Sequence, residues 1–358
     1  MRVMSPPLVR SPADAAVTVR APGRLHLGFL DPGATLGRRF GSLGLVIEGF
    51  ETEIELGAAE RDLITAGPAA EAAELDRIAV HLRCLRQASG CHQPLRLHLH
   101  RSLPPHTGLG SGTQLALAVG RAFAQWFGLP LSTPELATWL GRGLRSGVGI
   151  AGFDSGGLLL DGGPGADGQP APLLSHLALP EAWRVVVVQD PQQRGLHGSD
   201  EKSAIATLPP LAQVLAAEIC HRVLMQVLPG VASAEFALFA SGLNRVQQIL
   251  GDHFAPAQGG SACTSPAVGR LLQWINAQSP SQSPSPSHSG QPLAATGQSS
   301  WGPTAFAIVP DTTSAEALLA AARQAGVLDA RLTLRTVCSR NHGARVVDSR
   351  RHGSERVF

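Results

Sequence analysis

The run PPHTGLGSGTQLALAVG, Pro104 to Gly120, gathers the residue types that hold phosphate. Its glycines let the backbone approach an anion, and the turn passes directly into an apolar helical pattern. The first N–H groups of such a helix have no internal partner and carry the positive end of its dipole. Ser111 and Thr113 add hydroxyl donors. Gly108, Leu109, Gly110, Ser111, Gly112 and Thr113 are therefore candidate phosphate ligands. The same spacing also makes a tight turn with an ordinary cap, and this segment alone admits both. A Walker P-loop is excluded, because it needs Gly-Lys-Ser/Thr and Lys202 is the only lysine. Arginine supplies the cations instead, and its planar fork suits phosphate and carboxylate.

Other candidates are spread along the chain. Arg24 and His26 in APGRLHLGFLD alternate, so a strand there places both on one face. Arg24 is either an anion clamp or a strand-capping surface arginine. His26 is either a donor to substrate or a satisfied core histidine. Arg145 and Ser146 precede a GVG turn and are anion ligands or solvated turn residues. Asp154, before Ser-Gly-Gly, and Asp31, before Pro and Gly, both have turn-forming roles open to them. QQRGLHGSDEKSA offers Arg194, His197 and Glu201 to a cleft, with Ser199 or Asp200 as a plain helix cap. In GQSSW, Gln298, Ser299 and Ser300 are polar, and Trp301 either stacks on an aromatic ligand or fills the core. His98 and His100 alternate without a third ligand nearby, which describes a polar strand face.

The elements that must position these residues are mixed. AVTVRAP, the segment 41–57, LRLHLHRSLP, GGLLLDGGP, WRVVVVQD, TAFAIVP and ARLTLRTVC read as strands. Helical spacing runs through AAELDRIAVHLRCLRQASG, with Gly90 as its stop, through 113–127, through STPELATWLGRGL, through segments near 210–228 and 233–250, and through SAEALLAAARQAG. The absence of steady βαβ alternation gives the class α+β. A length of 358 residues fits two domains, 1–165 and 166–358. Residues 1–14 read as an unstructured arm. A Ser/Pro-rich insertion near 277–298 lacks the residues for a core.

Composition narrows the function class. The net charge of +2, from 29 basic and 27 acidic residues, lacks the basic stripe of a nucleic-acid binder. Five scattered cysteines with no C-x-x-C form neither a disulfide framework nor a zinc site. Prolines interrupt the N-terminus where a signal peptide needs an apolar core, and no uninterrupted apolar run reaches a membrane span. The expectation is a cytoplasmic protein that touches neither membrane nor nucleic acid.

Three segments in order resemble the GHMP kinase superfamily: APGRLHLGFLD, LPPHTGLGSGTQLALAVG and ATGQSSWGPTAFAIV. The resemblance spans most of the chain. It implies a two-domain GHMP-kinase-like fold, with an N-terminal mixed α+β domain carrying the phosphate loop and a C-terminal ferredoxin-like α/β sandwich. The departures matter. Gly149 in LRSGVGIAGFDSGG stands where these kinases carry a catalytic aspartate, and the third motif replaces several glycines with Gln298, Ser299, Ser300 and Trp301.

With those departures, the segments GRLHLGFLDP, GLGSGTQLALAVGRAF, GRGLRSGVGIAGFDSGGLLLDGG and GQSSWGPTAFAIV resemble the β-ribofuranosylaminobenzene 5′-phosphate synthase family of methanopterin biosynthesis. The resemblance implies a phosphoribosyltransferase-type reaction. It joins phosphoribosyl pyrophosphate to 4-aminobenzoate or 4-hydroxybenzoate, with loss of carbon dioxide and pyrophosphate. It also implies Mg²⁺ with the donor, no organic cofactor and a homodimer. Arg24 and His26 then become catalytic candidates, and Asp154 a ligand for Mg²⁺ or a stabiliser of the developing cationic sugar carbon. The alternatives are an ATP-dependent small-molecule kinase and a non-catalytic ligand-binding member of the superfamily.

Overall fold

The alternating apolar residues after Ala15 form one strand of 16 residues, β1 (Ala16–Asp31), longer than the run AVTVRAP suggests. It pairs antiparallel with β2 (Phe40–Ala58) along almost all of its length. The register shifts between Pro22 and Arg24 and again between His26 and Gly28. Bulges bend a strand and re-aim its side chains, so the two shifts bracket Arg24 and His26. A computed structural model describes residues 15–68, 72–165, 168–195, 203–204, 206–278, 293–350 and 355–358. The segments 1–14 and 279–292 therefore lie outside the described residues.

β1 and β2 are the centre of an eight-stranded sheet. β2 pairs with β4 (Leu95–Arg101) through one half and with β5 (Leu158–Asp161) through the other. β3 (Leu63–Ala66) adds to β4, and β6 (Leu173–Leu177) adds to β5. β11 (Arg345–Asp348) returns from the end of the chain to pair with β1 and carries β12 (Glu355–Val357). The sheet thus takes three strands from beyond Gly165, and the chain crosses between the two halves more than once. One face packs Val17, Val19, Ile54, Leu56 and Leu97 against α1 (Ala72–Ser89) and α2 (Ser111–Phe127).

The second sheet has the order β10-β7-β9-β8. Its strands are β7 (Arg184–Gln189), β8 (Ala295–Gln298), β9 (Thr304–Val309) and β10 (Thr333–Val337), all antiparallel. Numbered within the sheet this is the 4-1-3-2 order of a ferredoxin-like βαββαβ unit, as expected. The VVVV run is buried on both faces. Val185 and Val187 join Leu25, Leu27, Leu43 and Phe239 in a core shared by the two sheets. Val186 and Val188 face the outer helices Pro266–Gln278 and Thr312–Gln324. The insertion expected at 277–298 is shorter in the structure: residues through Gln278 finish a helix, and Ala295–Gln298 form the buried strand β8.

Two shorter helices follow α2. α3 (Thr133–Trp139) starts at Ser132 with a complete capping box to Glu135. α4 (Val148–Ser155) stands where the sequence suggests only a turn. A residue distant in sequence builds it. Asp161, fully buried, accepts the N–H groups of Gly147 (2.7 Å), Val148 (3.1 Å), Ser42 (3.1 Å) and Gly163 (2.9 Å). The run Gln213–Ala232 is long and apolar enough to cross a membrane by length and composition. It instead places Ala216, Ile219, Val223 and Val227 in the shared core and carries the ion pair Glu218–Arg222. It is followed by α5 (Phe236–Phe254).

Asp161→Ala leaves the buried N–H groups of Ser42, Gly147 and Gly163 without this acceptor and Val148 with only Ser146 Oγ at 3.4 Å. It is expected to lower stability by about 3 kcal/mol or more, read from urea denaturation; a loss below about 1 kcal/mol contradicts the anchoring role.

Candidate functional site

The glycine turn is anchored by its one apolar residue. Leu109 is fully buried in the shared core, between Gly108 (φ +90°) and Gly110 (φ +81°). These left-handed angles suit glycine. The Gly110 carbonyl accepts from Thr113 and Gln114, both at 3.1 Å, so α2 begins at Ser111, two residues before the expected start. No side chain caps it. Among the described residues the N–H groups of Ser111 and Gly112 have no acceptor, the arrangement that receives an anion.

Arg24 lies directly against this turn. Its N–H donates to the Leu109 carbonyl at 3.1 Å, and Nη1 donates to the Gly108 carbonyl at 3.0 Å. A β-carbon on Gly110 would sit 3.0 Å from the Arg24 Cζ. Arg24 therefore buttresses the loop and brings a full positive charge to the α2 N-terminus.

The three separated segments meet at Ser299. Its Oγ accepts the His26 N–H (2.9 Å) and donates to the Gly108 carbonyl (2.7 Å), while the Ser300 N–H donates to the His26 carbonyl (3.3 Å). The Ser299 side chain is fully buried and both of its roles go to backbone, so it ties the loops together instead of facing a ligand. Gln298 likewise bonds Thr264, Gln258 and the Ser300 carbonyl. Gly195 donates to the His106 carbonyl at 3.0 Å, which brings exposed Arg194 to the rim of the turn. His197 and Glu201, the other candidates on that segment, lie outside the described residues.

His26 is 3% exposed, and its Nε2 has no hydrogen-bond partner. Burial first, then the charges of Arg24 and Arg145, pull its pKa from 6.5 down to about 3. The imidazole is neutral at physiological pH. It borders a cavity of about 250 Å³ also lined by Phe29, Gln247, Phe254, Gln298 and Trp301. Trp301 is 4% exposed with its ring on Phe254 at 4.7 Å, so it is both buried filler and cavity wall. Among the described lining residues, His26 Nε2 is the one buried side-chain polar atom left unsatisfied. An uncapped helix start thus adjoins an aromatic-walled cavity, with Arg24 and His26 between them.

Other candidates lie elsewhere. Asp154 accepts from Thr133 Oγ1 at 2.5 Å and faces Arg121, ten residues and about 15 Å of helix rise beyond Ser111. Burial raises its pKa. It is a helix-packing carboxylate away from the loop, not a ligand at the phosphate turn. Asp31 is buried and closes its own turn through the N–H groups of Gly33 (3.1 Å) and Leu36 (2.7 Å). Ser146 turns to Asp161 Oδ2 at 3.4 Å, and Asp161 already occupies the α4 N-terminus, so no anion site forms there. Arg145 is close enough to shift His26. Sequence reasoning missed Arg77 and Arg142, which stand against Gly112, and the α5 side chains of Gln247 and Phe254. The alignment of Glu74, Arg77 and His81 on one face of α1 was the available signal.

Residues 76–157 match the GHMP kinases N terminal domain. The chain is 33% identical over 243 residues to a beta-ribofuranosylphenol 5′-phosphate synthase from Archaeoglobus fulgidus, covering 64% of this chain and 75% of that protein. A synthase of the same name from Methanothermobacter thermautotrophicus is 26% identical over 245 residues, covering 64% and 74%. In fold, the chain is similar to homoserine kinase from Cytophaga hutchinsonii, with TM-score 0.60, 14% identity and coverage of 95% and 100%. It is also similar to mevalonate diphosphate decarboxylase from Enterococcus faecalis, with TM-score 0.63, 16% identity and coverage of 94% and 99%.

Two outcomes follow from the geometry. Folded His26 titrates near 3 and an unfolded histidine near 6.5. Between these values the unfolded chain holds more protons, so stability falls as pH drops from 6.5 toward 3. His26→Gln is expected to reduce the loss between pH 6.5 and 4.5 by on the order of 2 kcal/mol, read from urea denaturation at both values; an unchanged pH slope contradicts the buried neutral state. Asp154→Asn is expected to change kcat/KM by less than about threefold, whereas a hundredfold loss returns Asp154 to the reaction.

Proposed function

The chain belongs to the beta-ribofuranosylphenol 5′-phosphate synthase family, and on that premise we propose that it joins phosphoribosyl pyrophosphate to a 4-substituted benzoate. As a member it is an enzyme that acts on small molecules. The relatives' name speaks of a phenol product, which favours 4-hydroxybenzoate as acceptor over 4-aminobenzoate. Carbon dioxide and pyrophosphate are the other products, and the step serves methanopterin biosynthesis. The observation that carries this reading is the junction itself, an anion cradle opening beside an aromatic-walled cavity.

The reaction balances without a base. The bond from the sugar C1 to pyrophosphate breaks, and the oxygen keeps the electron pair. The ring carbon that bears the carboxylate attacks C1. Loss of carbon dioxide returns its bonding pair to the ring and restores aromaticity. The protein's work is then positioning and charge stabilisation. The α2 N-terminus and Arg24 hold a phosphoryl group of the donor, and the ring lies among Phe29, Phe254 and Trp301. Neutral His26 hydrogen-bonds the acceptor without setting a full positive charge against the carboxylate that must leave.

Mg²⁺ would neutralise the donor's phosphates. The turn offers it guanidinium and N–H groups and the hydroxyls of Ser111 and Thr113, no cluster of three acidic, histidine or cysteine ligands stands among the described residues, and Asp154 is engaged with Thr133, so a metal held by the protein alone at the turn does not fit. The ion travels on the substrate in this reading. Five free cysteines accord with a reduced, cytoplasmic setting.

The kinase alternative lacks its aspartate. At Gly149, where the resembling kinases carry it, a β-carbon would come within 3.1 Å of the Thr113 methyl, so that side chain would also require Thr113 to move by a few tenths of an ångström.

Incubation with phosphoribosyl pyrophosphate, Mg²⁺ and carboxyl-labelled 4-hydroxybenzoate or 4-aminobenzoate tests the reading. Donor-dependent release of labelled carbon dioxide is expected, and Arg24→Ala should lower kcat/KM by about 10²–10³-fold. No release with either benzoate from folded protein sinks it. Transfer from ATP to a small alcohol would establish the kinase, and donor binding without turnover the non-catalytic alternative.

A further inference from the structure

Where β1 carries the site residues, its second edge has no strand beside it. β11 pairs with β1 over Val17–Arg20, and further along the turn after β8 lies against His26 instead. Within this stretch the register with β2 passes from His26–Gly44 to Gly28–Leu43 and skips Leu27. The Leu27 carbonyl still needs a donor. Gln247, reaching over from α5, supplies one: its Nε2 donates to that carbonyl at 2.6 Å.

The other end of the same amide is also engaged. Gln247 Oε1 accepts the Gln298 N–H at 3.0 Å. A β-carbon on Gly297 would overlap this amide, so glycine makes room for it across β8. Asn244, three residues earlier on the same face of α5, shows what is particular about Gln247. Its amide accepts the Thr296 N–H at 2.7 Å and donates to the Ala294 carbonyl at 3.0 Å, both in one stretch of chain. The Gln247 amide instead joins β8 to β1, and so one sheet to the other. Together with Ser299 Oγ on the His26 N–H and the Ser300 N–H on the His26 carbonyl, it holds three backbone groups around the His26 side chain from outside their own sheet.

We propose that Gln247 is a positioning residue, which fixes the bulge so that the His26 imidazole meets the cavity it shares with Trp301. What His26 does in the reaction rests on the synthase reading; the contact that sets its ring does not. Both ends of the amide are needed. A bond to β8 alone leaves the Leu27–Gly28 peptide free to turn, and Gly28, at φ +134°, permits that turn. A bond to Leu27 alone leaves the bulge untied from the turn that carries Trp301. A reacting group displaced by about 1 Å can cost on the order of a hundredfold in rate.

Two length-matched variants test the role. Gln247→Met loses both bonds. Gln247→Glu, ionised, still accepts the Gln298 N–H but has no hydrogen for the Leu27 carbonyl. Nitrogen NMR of histidine-labelled protein reads the ring directly, with the His26 signal identified by its loss in His26→Gln. The His26 ring resonances are expected to shift in both variants while those of His98, His176 and His342 stay in place. Thermal melting shows which variants are folded, and if Gln247→Met is not, Gln247→Glu decides alone. In the labelled carbon dioxide assay each folded variant is expected to lower kcat/KM about tenfold or more in the wild-type background and less than twofold beside His26→Gln, the non-additivity of residues that act as one unit. A His26 signal unchanged in a folded variant, movement of all histidine signals alike, or losses that simply add overturns the proposal. Shifted His26 resonances in a protein that releases no carbon dioxide from either benzoate overturn the synthase reading and leave Gln247 its positioning role.

Discussion

The structure depends on a backbone-to-backbone contact around Ser299. The phosphate turn, the bulged stretch of β1 and the turn after β8 approach so closely that a β-carbon on Gly302 would meet the Thr107 carbonyl at 2.2 Å, and one on Gly195 the Trp301 carbonyl at 2.3 Å. No side chain fits between them. One buried hydroxyl, bonded to His26 N–H and the Gly108 carbonyl, satisfies the polar groups this approach strands. Without that contact the two sheets would carry their halves of the site separately. With it, the helix start, Arg24, His26 and the Trp301 wall become one surface.

Charge is distributed unevenly over that surface. Arg24, Arg77 and Arg142 flank the start of α2 and Arg145 acts on His26, and the two histidines near them are kept neutral by burial and by the arginines themselves. The carboxylates nearby are engaged: Glu74 with Arg77, Asp161 with the α4 N-terminus, Asp154 with Thr133. Among the described residues the site therefore offers fixed positive charge and hydrogen bonds and no general base at the turn. That arrangement suits the departure of an anionic leaving group, the step of the proposed reaction that needs no aspartate at Gly149.

The glycine turn, its helix, the start of the first strand, most of the second, the VVVV strand and the two-domain α+β class were legible in the sequence. Each follows from local causes: backbone angles that suit glycine, period-2 or 3.6 spacing, and capping chemistry such as Ser132 with Glu135. The three motif segments also pointed to one site. What the sequence left open was the role of each polar residue within it. Ser299 and Asp154 look like ligand groups in their motifs, yet one fastens loops and the other packs helices.

The sequence by itself determined most of the longer strands and helices and that one helix begins directly after a glycine-rich turn, because these depend on neighbours a few residues apart. Only the tertiary structure decided that Asp161 caps α4 from thirteen residues away, that β11 returns to pair with β1, and that Arg77 and Arg142 stand over Gly112. These are contacts between residues far apart in the chain, set by how the two sheets share one core. No local pattern records which distant charge a fold will bring to a helix end.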